Sequence, residues 1–320
     1  MATATLRKLV THYASNMLPI IDDLTRESGI LRTAPIIMSN NGTFHKYKKT
    51  DALPTAAIRN VGGTYTVQTV NNRINQIELK EFGITQSEDR KICDDIGKVE
   101  YFIQERPAIM EALGQKISTS IVYGTNATYG DGASFLGWHD ICNAHGSNYY
   151  TACGASTSST SIFVVRFKPN VNGIVINSKS MQAGEFIKMM PVADGNLTFE
   201  YGGSAGTVKP VYQILYTADL AFLASTVYSV HALYGVDDST NAPTDIELKK
   251  AIDSVKGKSE DTIIYTSRMG KRAIETLNAS DVQTTPTTDD YSTVIQRYAG
   301  IPVIVDDNIL ETEATANLPY

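Results

Sequence analysis

The feature that most limits the possible folds of this chain is a row of apolar residues at every fourth position. The row consists of Ile109, Leu113, Ile117 and Ile121. Residues four apart lie on the same face of an α-helix, so the row predicts a helix with one buried stripe. Pro107 is favoured in the first turn of a helix, and Gly124 can end one in a left-handed conformation. The sequence therefore predicts a long, one-sided helix between these two residues.

Two further helical patterns lie upstream. Helical spacing also occurs at Ile92, Ile96, Val99 and Ile103, so residues 90–123 are mostly helical. Near the start of the chain, helical spacing occurs at Leu6, Leu9, Val10, Tyr13 and Met17. Pro19 and Pro35 interrupt the chain beyond this pattern, and we interpret residues 1–41 as an N-terminal arm.

Residues 42–90 predict an extended β-hairpin. The run 64–70 is rich in Thr and Val, Asn71-Asn72 offers a turn, and Ile77 and Leu79 alternate with charged residues. An isolated two-stranded hairpin is marginal in water, and its edges invite pairing. This hairpin therefore packs on its own domain or rests on a neighbouring subunit.

The remaining pattern indicates an α+β fold. Strands are predicted at 161–167, 174–176, 262–266 and 301–305, and short β runs with glycine turns at 195–230. Helices are predicted after the capping box of Thr244 and Glu247 and after Ser267. Residues 124–160 and 281–293 are polar and predict loops. Strands and helices alternate without a regular βαβ repeat, which favours α+β.

Composition narrows the class of protein. The net charge of −6 and the pI of about 5.4 argue against tight electrostatic capture of nucleic acid. No apolar run approaches the roughly 20 residues of a membrane span, and no secretory signal follows Arg7 and Lys8. Three cysteines cannot form a disulfide framework, which fits a reducing cytoplasm. Charged residues are only 19% while tyrosines number 17, a balance typical of surface that contacts another protein.

Two motifs could indicate an enzyme. Gly202–Gly206 around Ser204 matches a nucleophile elbow, with Asp219 and His231 in the correct order, but Pro210 leads into a β run where a helix is required. We interpret it as a glycine-rich hairpin turn. The second motif is a cluster of His139, Cys142, His145 and Cys153, whose spacing does not match the paired ligands of common zinc sites.

Other charged groups carry weaker signals. The acidic doublets are Asp94-Asp95, Asp237-Asp238, Asp289-Asp290 and Asp306-Asp307, which we interpret as turns and caps. The sequence contains no phosphate-binding loop. The basic stretch 46–49 favours salt bridges between subunits. The sequence thus predicts no catalytic residues, no cofactor and no metal site.

An ordered set of short motifs resembles a known family. The motifs are 41–45, 53–54, 57–59, 121–126, 135–137, 161–166 and 300–306, and they read Asn-Gly-Thr-Phe-His, Leu-Pro, Ala-Ile-Arg, Ile-Val-Tyr-Gly-Thr-Asn, Phe-Leu-Gly, Ser-Ile-Phe-Val-Val-Arg and Gly-Ile-Pro-Val-Ile-Val-Asp. Together they resemble the major capsid (coat) proteins of tailed bacteriophages, particularly podovirus-like phages, which have the Hong Kong 97-like fold. The similarity covers residues 20–315.

The resemblance implies a domain organisation. It implies an N-terminal arm at 1–41, an extended loop at 42–90, a peripheral domain with a spine helix at 91–165, an axial domain at 166–294, and the return strand of the peripheral domain at 295–320. The extended loop would lie over an adjacent subunit.

The resemblance also implies a function and partners. The chain would self-assemble into hexamers and pentamers of an icosahedral head that encloses double-stranded DNA without reading its sequence, and it would not be an enzyme. Implied partners are a portal protein and a separate scaffolding protein, and a cement (decoration) protein is left open. Assembly would occur in the bacterial cytoplasm, away from membranes. An encapsulin-like compartment and, from another class, a hydrolase or metalloenzyme remain as alternatives.

Overall fold

The computed structural model describes residues 4–314, apart from 53, 66, 68, 69, 133, 155, 156, 170, 202–207, 278–281 and 289–293. Its helices are α1 (Leu6–Tyr13), α2 (Leu18–Leu24), α3 (Gly29–Thr33), α4 (Arg90–Ile96), α5 (Lys98–Tyr123), α6 (Trp138–His145), α7 (Ser178–Gln182), α8 (Asp245–Ser254) and α9 (Arg268–Glu275). Its strands are β1 (Ile36–Met38), β2 (Phe44–Ala52), β3 (Asn71–Glu78), β4 (Lys80–Asp89), β5 (Tyr150–Ala152), β6 (Thr160–Arg166), β7 (Asn172–Ile176), β8 (Lys188–Pro191), β9 (Thr198–Tyr201), β10 (Val208–Ala224), β11 (Val230–Val236), β12 (Thr262–Thr266), β13 (Val282–Thr288), β14 (Val294–Tyr298) and β15 (Ile301–Val305). Helices and strands are interspersed, which confirms the α+β prediction.

A six-stranded sheet is built around β10. Strands β1, β7, β10 and β4 lie side by side in that order, and β8 and β9 also pair with β10. The sequence predicted several short β runs at 195–230, whereas β10 is one strand of 17 residues. Its length follows from its antiparallel pairing with β4, which extends from Val211 opposite Asp89 to Leu220 opposite Lys80. This long-range pairing leaves no local signal in the sequence.

A seven-stranded sheet has the order β13, β14, β15, β12, β6, β11, β5. Strand β11 is buried along its whole length, and β6 is buried except at Arg166. Helix α8 packs against β11, and helix α9 packs against β6. The predicted strands at 262–266 and 301–305 are confirmed as β12 and β15. The loop predicted at 281–293 was wrong over 282–288, which form β13 and pair with β14.

Strand pairing connects elements on both sides of the implied domain boundaries, which stay a prediction. Strands β6 and β15 were assigned to the peripheral domain, yet both pair with β12 in the seven-stranded sheet. Strands β7 to β10 were assigned to the axial domain, yet they form the six-stranded sheet with β4. The difference arises because partners in a sheet are chosen by long-range packing, which the order of elements along the chain does not reveal.

The long helix α5 starts nine residues earlier than its sequence pattern predicted. It extends over 26 residues, and Pro107 lies inside it rather than in its first turn. Proline has no N–H to donate to the carbonyl of Ile103. Because Ile103 is half exposed, water can donate a hydrogen bond to that carbonyl instead. The predicted buried stripe is confirmed at Leu113, Ile117 and Ile121, and Gly124 ends the helix at a φ of 51°.

The hairpin exists, and the predicted strand around Ile77 is confirmed as part of β3, but the predicted turn at Asn71-Asn72 was wrong. Of the predicted strand 64–70, residues 66, 68 and 69 lie outside the described residues. Strand β2 pairs with β3, with Lys46 opposite Gln76 and Thr50 opposite Asn72. Asn71 and Asn72 are therefore strand residues, and 54–65 have no strand structure. Residues 80–89 leave the hairpin and form β4 of the six-stranded sheet, so the projecting segment is 44–78 rather than 42–90.

Helix α6 lies in a region that was predicted to be a loop. Its N-terminus is capped by Asp140, whose carboxylate accepts hydrogen bonds from the Gly137 N–H at 3.1 Å and from the Thr125 N–H at 2.8 Å. Trp138, Ile141 and Cys142 occupy the buried face at helical spacing. The polar residues on either side of this short pattern mask it in the sequence.

The N-terminal segment packs into the main core, and its assignment as the N-terminal arm stays a prediction. Leu6, Val10, Ile21, Leu24, Ile30 and Leu31 are all buried. A Cβ at Gly114 would lie 2.1 Å from the carbonyl oxygen of Leu24, and a Cβ at Gly29 would lie 2.2 Å from that of Val305. These glycines let the N-terminal segment fit between α5 and β15.

Candidate inter-subunit surfaces

The hairpin of β2 and β3 forms a separate two-stranded sheet. Its loop carries apolar side chains that have no cover within the subunit. Ile58 is 100% exposed, Val67 is 92% exposed, and Ile74 on β3 is 76% exposed. Several large apolar side chains exposed this fully on one hairpin are uncommon on a soluble monomer and are typical of an interaction surface.

The base of the hairpin is anchored to the body. His45 is only 7% exposed, and burial lowers its pKa. Leu79, just after β3, is also buried, and Tyr47 and Ile77 are half-buried. Beneath the base lies a cavity of about 400 Å³ lined by Tyr47, Ile77, Phe135, Leu136, Ile141 and Phe222, among others. The hairpin is therefore fixed at one end and uncovered at the other.

The basic stretch 46–49 lies on β2. Lys46 and Lys48 are exposed, and the Lys46 Nζ lies 5.3 Å from the centre of the Phe44 ring. These ammonium groups point away from the buried His45 side of the strand, because neighbouring strand residues face opposite ways. The inter-subunit salt bridges that the sequence suggested here stay a prediction.

A second apolar surface lies on α4 and α5 and is here named the α4–α5 row. It consists of Ile92, Ile96, Val99 and Ile103, which are 43%, 49%, 64% and 53% exposed. The helical spacing is confirmed within each pair, Ile92 and Ile96 on α4 and Val99 and Ile103 on α5, but Gly97 at a φ of 103° breaks the helix between the pairs. All four side chains are outside the core. A groove of about 370 Å³ adjoins the row and is lined by Val99, Phe102, Ile103, Met189, Pro191 and Tyr216, among others.

The metal-like cluster is not assembled. Cys142 is completely buried, and burial raises the pKa of its thiol. His139 is buried between Tyr123 and Tyr234, whose ring centres lie 5.2 and 4.6 Å away. His145 instead contacts Tyr149 edge-on at the end of α6. Within the described ranges, no three His, Cys, Asp or Glu side chains are grouped to hold a metal ion.

The three residues of the possible hydrolase site are not brought together in the part of the chain that can be described. Ser204 lies outside the described residues, although β9 and β10 on either side of it pair as an antiparallel hairpin. Asp219 accepts hydrogen bonds from Asn177 at 2.9 Å and Lys188 at 3.2 Å. His231 lies in the other sheet, on β11.

His231 is a structural histidine. Its Nδ1 lies 2.7 Å from Ser254 Oγ, and its Nε2 lies 3.2 Å from Thr151 Oγ1. Burial lowers its pKa from 6.5 to about 4. The unfolded chain therefore binds a proton between pH 6.5 and 4 that the folded chain does not, so stability falls as the pH falls through this window.

We expect His231 to make the subunit about 3 kcal/mol less stable at pH 4 than at pH 7. Urea unfolding of His231→Gln across this range should show a correspondingly flatter dependence on pH. His12→Gln, at an exposed histidine of α1, is the control and should keep the steep dependence. An unchanged slope in His231→Gln would exclude this histidine as the cause.

The acidic doublets have separate structural roles. The Asp237 carboxylate accepts hydrogen bonds from Asn241 and Ser239, which lower its pKa to about 2. Asp94 and Asp95 are exposed on α4, and Asp306 is completely buried. Asp289 and Asp290 lie outside the described residues.

Among the described helices, none has both the length and the apolar character that crossing a bilayer requires.

The fold combines two sheets, a long helix and a projecting hairpin with an uncovered apolar loop, a combination typical of a structural subunit that contacts other subunits. The family model of the major capsid protein GP7 matches residues 13–317. The chain therefore belongs to that family and is the shell-forming capsid protein of a tailed bacteriophage. The family and fold predictions are confirmed, and its role in the icosahedral virion is structural.

Solved phage structures are similar to this chain, and the first of those named here supports the fold. A structure of bacteriophage Epsilon15 is 16% identical, with 91% of this chain and 89% of that chain covered and a TM-score of 0.54. The bacteriophage JBD30 capsid is 13% identical, with coverages of 89% and 92% and a TM-score of 0.49. The capsid of an empty GTA particle is 11% identical, with coverages of 65% and 89% and a TM-score of 0.38. Among curated proteins, none matches significantly.

Proposed function

We propose that this chain forms the hexamers and pentamers of an icosahedral phage head that encloses double-stranded DNA. The observation that best supports this proposal is the hairpin, whose loop exposes Ile58 and Val67 almost completely in a lone subunit. Closed shells repeat the same contact many times, so each contact can be weak. A hairpin that is anchored at its base and uncovered at its loop suits such a contact.

We assign the two sheets to the two domains of the shell subunit. The six-stranded sheet and α5 would form the peripheral domain, and the seven-stranded sheet would form the axial domain around the symmetry axes. This assignment follows strand pairing and is an alternative to the boundaries at residues 165 and 294 that the resemblance implies. The projecting hairpin, residues 44–78, would be the extended loop.

We assign the α4–α5 row as the surface that receives a neighbour's hairpin. Both surfaces are apolar and uncovered, and their charges are complementary. Lys46 and Lys48 are exposed on the hairpin, while Asp95 and Glu100 are exposed beside the row. Attraction between these groups would orient the two subunits, and apolar burial would supply most of the free energy.

The wider partners are those that the proposed role requires. A portal protein, a separate scaffolding protein and a cement protein are candidates, and assembly would take place in the host cytoplasm. The net charge of −6 supports enclosure without adhesion, because a negative wall repels phosphate and lets DNA be packed and released. No catalytic step is part of the proposal.

Electron microscopy of the chain expressed with its scaffolding protein tests the proposal directly. We expect closed shells with fivefold and sixfold rings that accept DNA. Particles that hold an enzyme instead of DNA would support the encapsulin-like alternative. A chain that stays monomeric at high concentration, with its scaffold present, would contradict both.

A further inference from the structure

Two acidic side chains near the C-terminus are completely buried. Asp306 and Glu313 are each 0% exposed, and both lie in the segment 306–314. Burying a carboxylate is costly unless donors satisfy its oxygens. Here the donors come from elements that are far apart in the sequence.

Asp306 connects three parts of the molecule. Its Oδ2 accepts a hydrogen bond from the Ile30 N–H at 2.8 Å, and its own N–H donates to the Thr266 carbonyl of β12 at 2.9 Å. Its Oδ2 also lies 3.4 Å from Ser28 Oγ, which in turn bonds Ser118 on α5. Asp306 therefore joins the N-terminal segment, the second half of α5 and the seven-stranded sheet.

Glu313 makes a second connection between α5 and the same sheet. Its Oε1 accepts a hydrogen bond from the Tyr123 hydroxyl at 2.5 Å, and its Oε2 accepts one from Ser161 Oγ at 2.5 Å. Its main chain pairs with Ser159 in both directions, at 2.9 and 3.2 Å. The Tyr123 hydroxyl also accepts a hydrogen bond from the Leu310 N–H at 2.9 Å. Glu313 thus binds the last turn of α5 to β6.

The first half of α5 is held by a different set of partners. Lys98 donates to the Gly195 carbonyl, and its ammonium group lies 4.5 Å from the Tyr212 ring centre. Tyr101 donates to Glu88 on β4. These partners belong to the far end of the six-stranded sheet. Pro107, which lacks a helical hydrogen bond, separates the two halves.

We propose that residues 306–314 are a lock that makes α3, the second half of α5 and the seven-stranded sheet one rigid body. Bending of the subunit is then confined to the neighbourhood of Pro107, with the far end of the six-stranded sheet as the moving part. The inference goes beyond the proposed assembly and does not depend on it, because every contact of the lock lies within one subunit.

Native-state hydrogen exchange of the wild-type subunit tests the lock. Amides in 24–31, 113–123, 160–166 and 306–314 should open together, with one free energy and one dependence on denaturant. Amides in 98–106 should open separately and at least tenfold more often. If 306–314 opens more readily than 113–123, the segment is not a lock and the proposal is overturned.

Asp306→Asn gives a second, independent test. The Asp306 Oδ1 accepts a hydrogen bond from the Asn308 N–H at 2.9 Å, and its Oδ2 accepts the one from the Ile30 N–H. An amide in place of this carboxylate turns an N–H group toward one of these two N–H groups, and neither backbone donor can rotate away. Exchange in 24–31 and 113–123 should rise at least tenfold, with no change in the hairpin. Asp307→Asn is the matched control, since Asp307 is exposed, pairs with Arg268 and should leave exchange there unchanged.

A purely local role of Asp306 predicts a different result. In that case the variant would raise exchange only around 304–310, which would overturn the proposal. If Asp306→Asn fails to fold, the wild-type exchange pattern decides the question alone, and Glu313→Gln supplies a milder variant. Its amide can still bond Ser161, whose hydroxyl can reverse its direction.

Discussion

Joining Lys46 directly to Gln76 with an Asn-Gly turn should leave a folded subunit that no longer closes shells. The two residues lie opposite each other in the hairpin, so a two-residue turn fits the register. The variant keeps the buried His45 and Leu79 at the base and removes the uncovered loop. The two main sheets should therefore form normally.

The expected effect on assembly is large. Burying Ile58, Val61 and Val67 against a neighbour would contribute about 1.5–3 kcal/mol for each side chain. Losing even about 4 kcal/mol weakens a contact about a thousandfold, and the loss recurs at every subunit of the shell. Electron microscopy and sedimentation should therefore show only subunits or small rings.

Two controls separate assembly from folding. Asn60→Ser changes an exposed polar residue of the same loop and should still give closed shells. Deleting 60–85 instead removes Phe82 and six of the ten residues of β4, so this variant should not fold. Normal shells from the Lys46–Gln76 variant would show that the hairpin has no essential contact with a neighbour.

Structural features that depend only on residues close together in the sequence could be predicted from it. The capping box of Thr244 and Glu247 is present, with the Thr244 N–H donating to the Glu247 carboxylate at 2.7 Å. Ser267 caps α9 by accepting a hydrogen bond from the Gly270 N–H. Caps of this kind form within one turn of helix, so a single stretch of sequence contains all the information.

Strand pairing could not be predicted in the same way. The run 64–70 has high β-propensity, but β3 pairs with 44–52 instead. Propensity describes one strand, whereas register depends on which side chains reach the body. Here His45 and Leu79 are buried at the base, and these contacts place β2 opposite β3.

Helical spacing did not distinguish a core face from an interface. Ile117 is fully buried and Val99 is 64% exposed, although both belong to apolar rows with the same period on α5. The helical period of apolar residues indicates that one face of the helix is buried against protein. It does not indicate whether the residues that bury this face belong to the same chain or to a neighbouring subunit. For the α4–α5 row, only the structure of the subunit shows that these side chains are exposed rather than buried in its core.

The clustered histidines and cysteines are close in sequence, but they do not share one environment in the structure. His139, Cys142 and His145 are close in sequence because they share one short helix, yet their environments differ. His139 lies among aromatic rings and Cys142 in the core, while His145 is half-buried near the surface. Spacing that suits metal ligands is also the spacing of a helix with one buried face.

Replacing Val99 and Ile103 with aspartate should abolish shell formation without unfolding the subunit. Both side chains are more than half exposed, so the free energy of unfolding should change by less than about 1 kcal/mol. If the apolar loop of a neighbour's hairpin covers them, each aspartate loses its hydration against apolar side chains, and this cost exceeds the attraction to Lys46 and Lys48 of the same hairpin. Assembly should then fail even at high subunit concentration.

A second variant tests whether an added negative charge prevents assembly only when it lies within the row. Gln104→Glu adds a negative charge on the same turn of α5, at an exposed position beside the row, and should permit closed shells. Sedimentation should thus separate the two variants while urea unfolding shows similar stability. If the aspartate variant also forms shells, the row lies on a free surface of the particle, and the neighbour's hairpin must dock elsewhere.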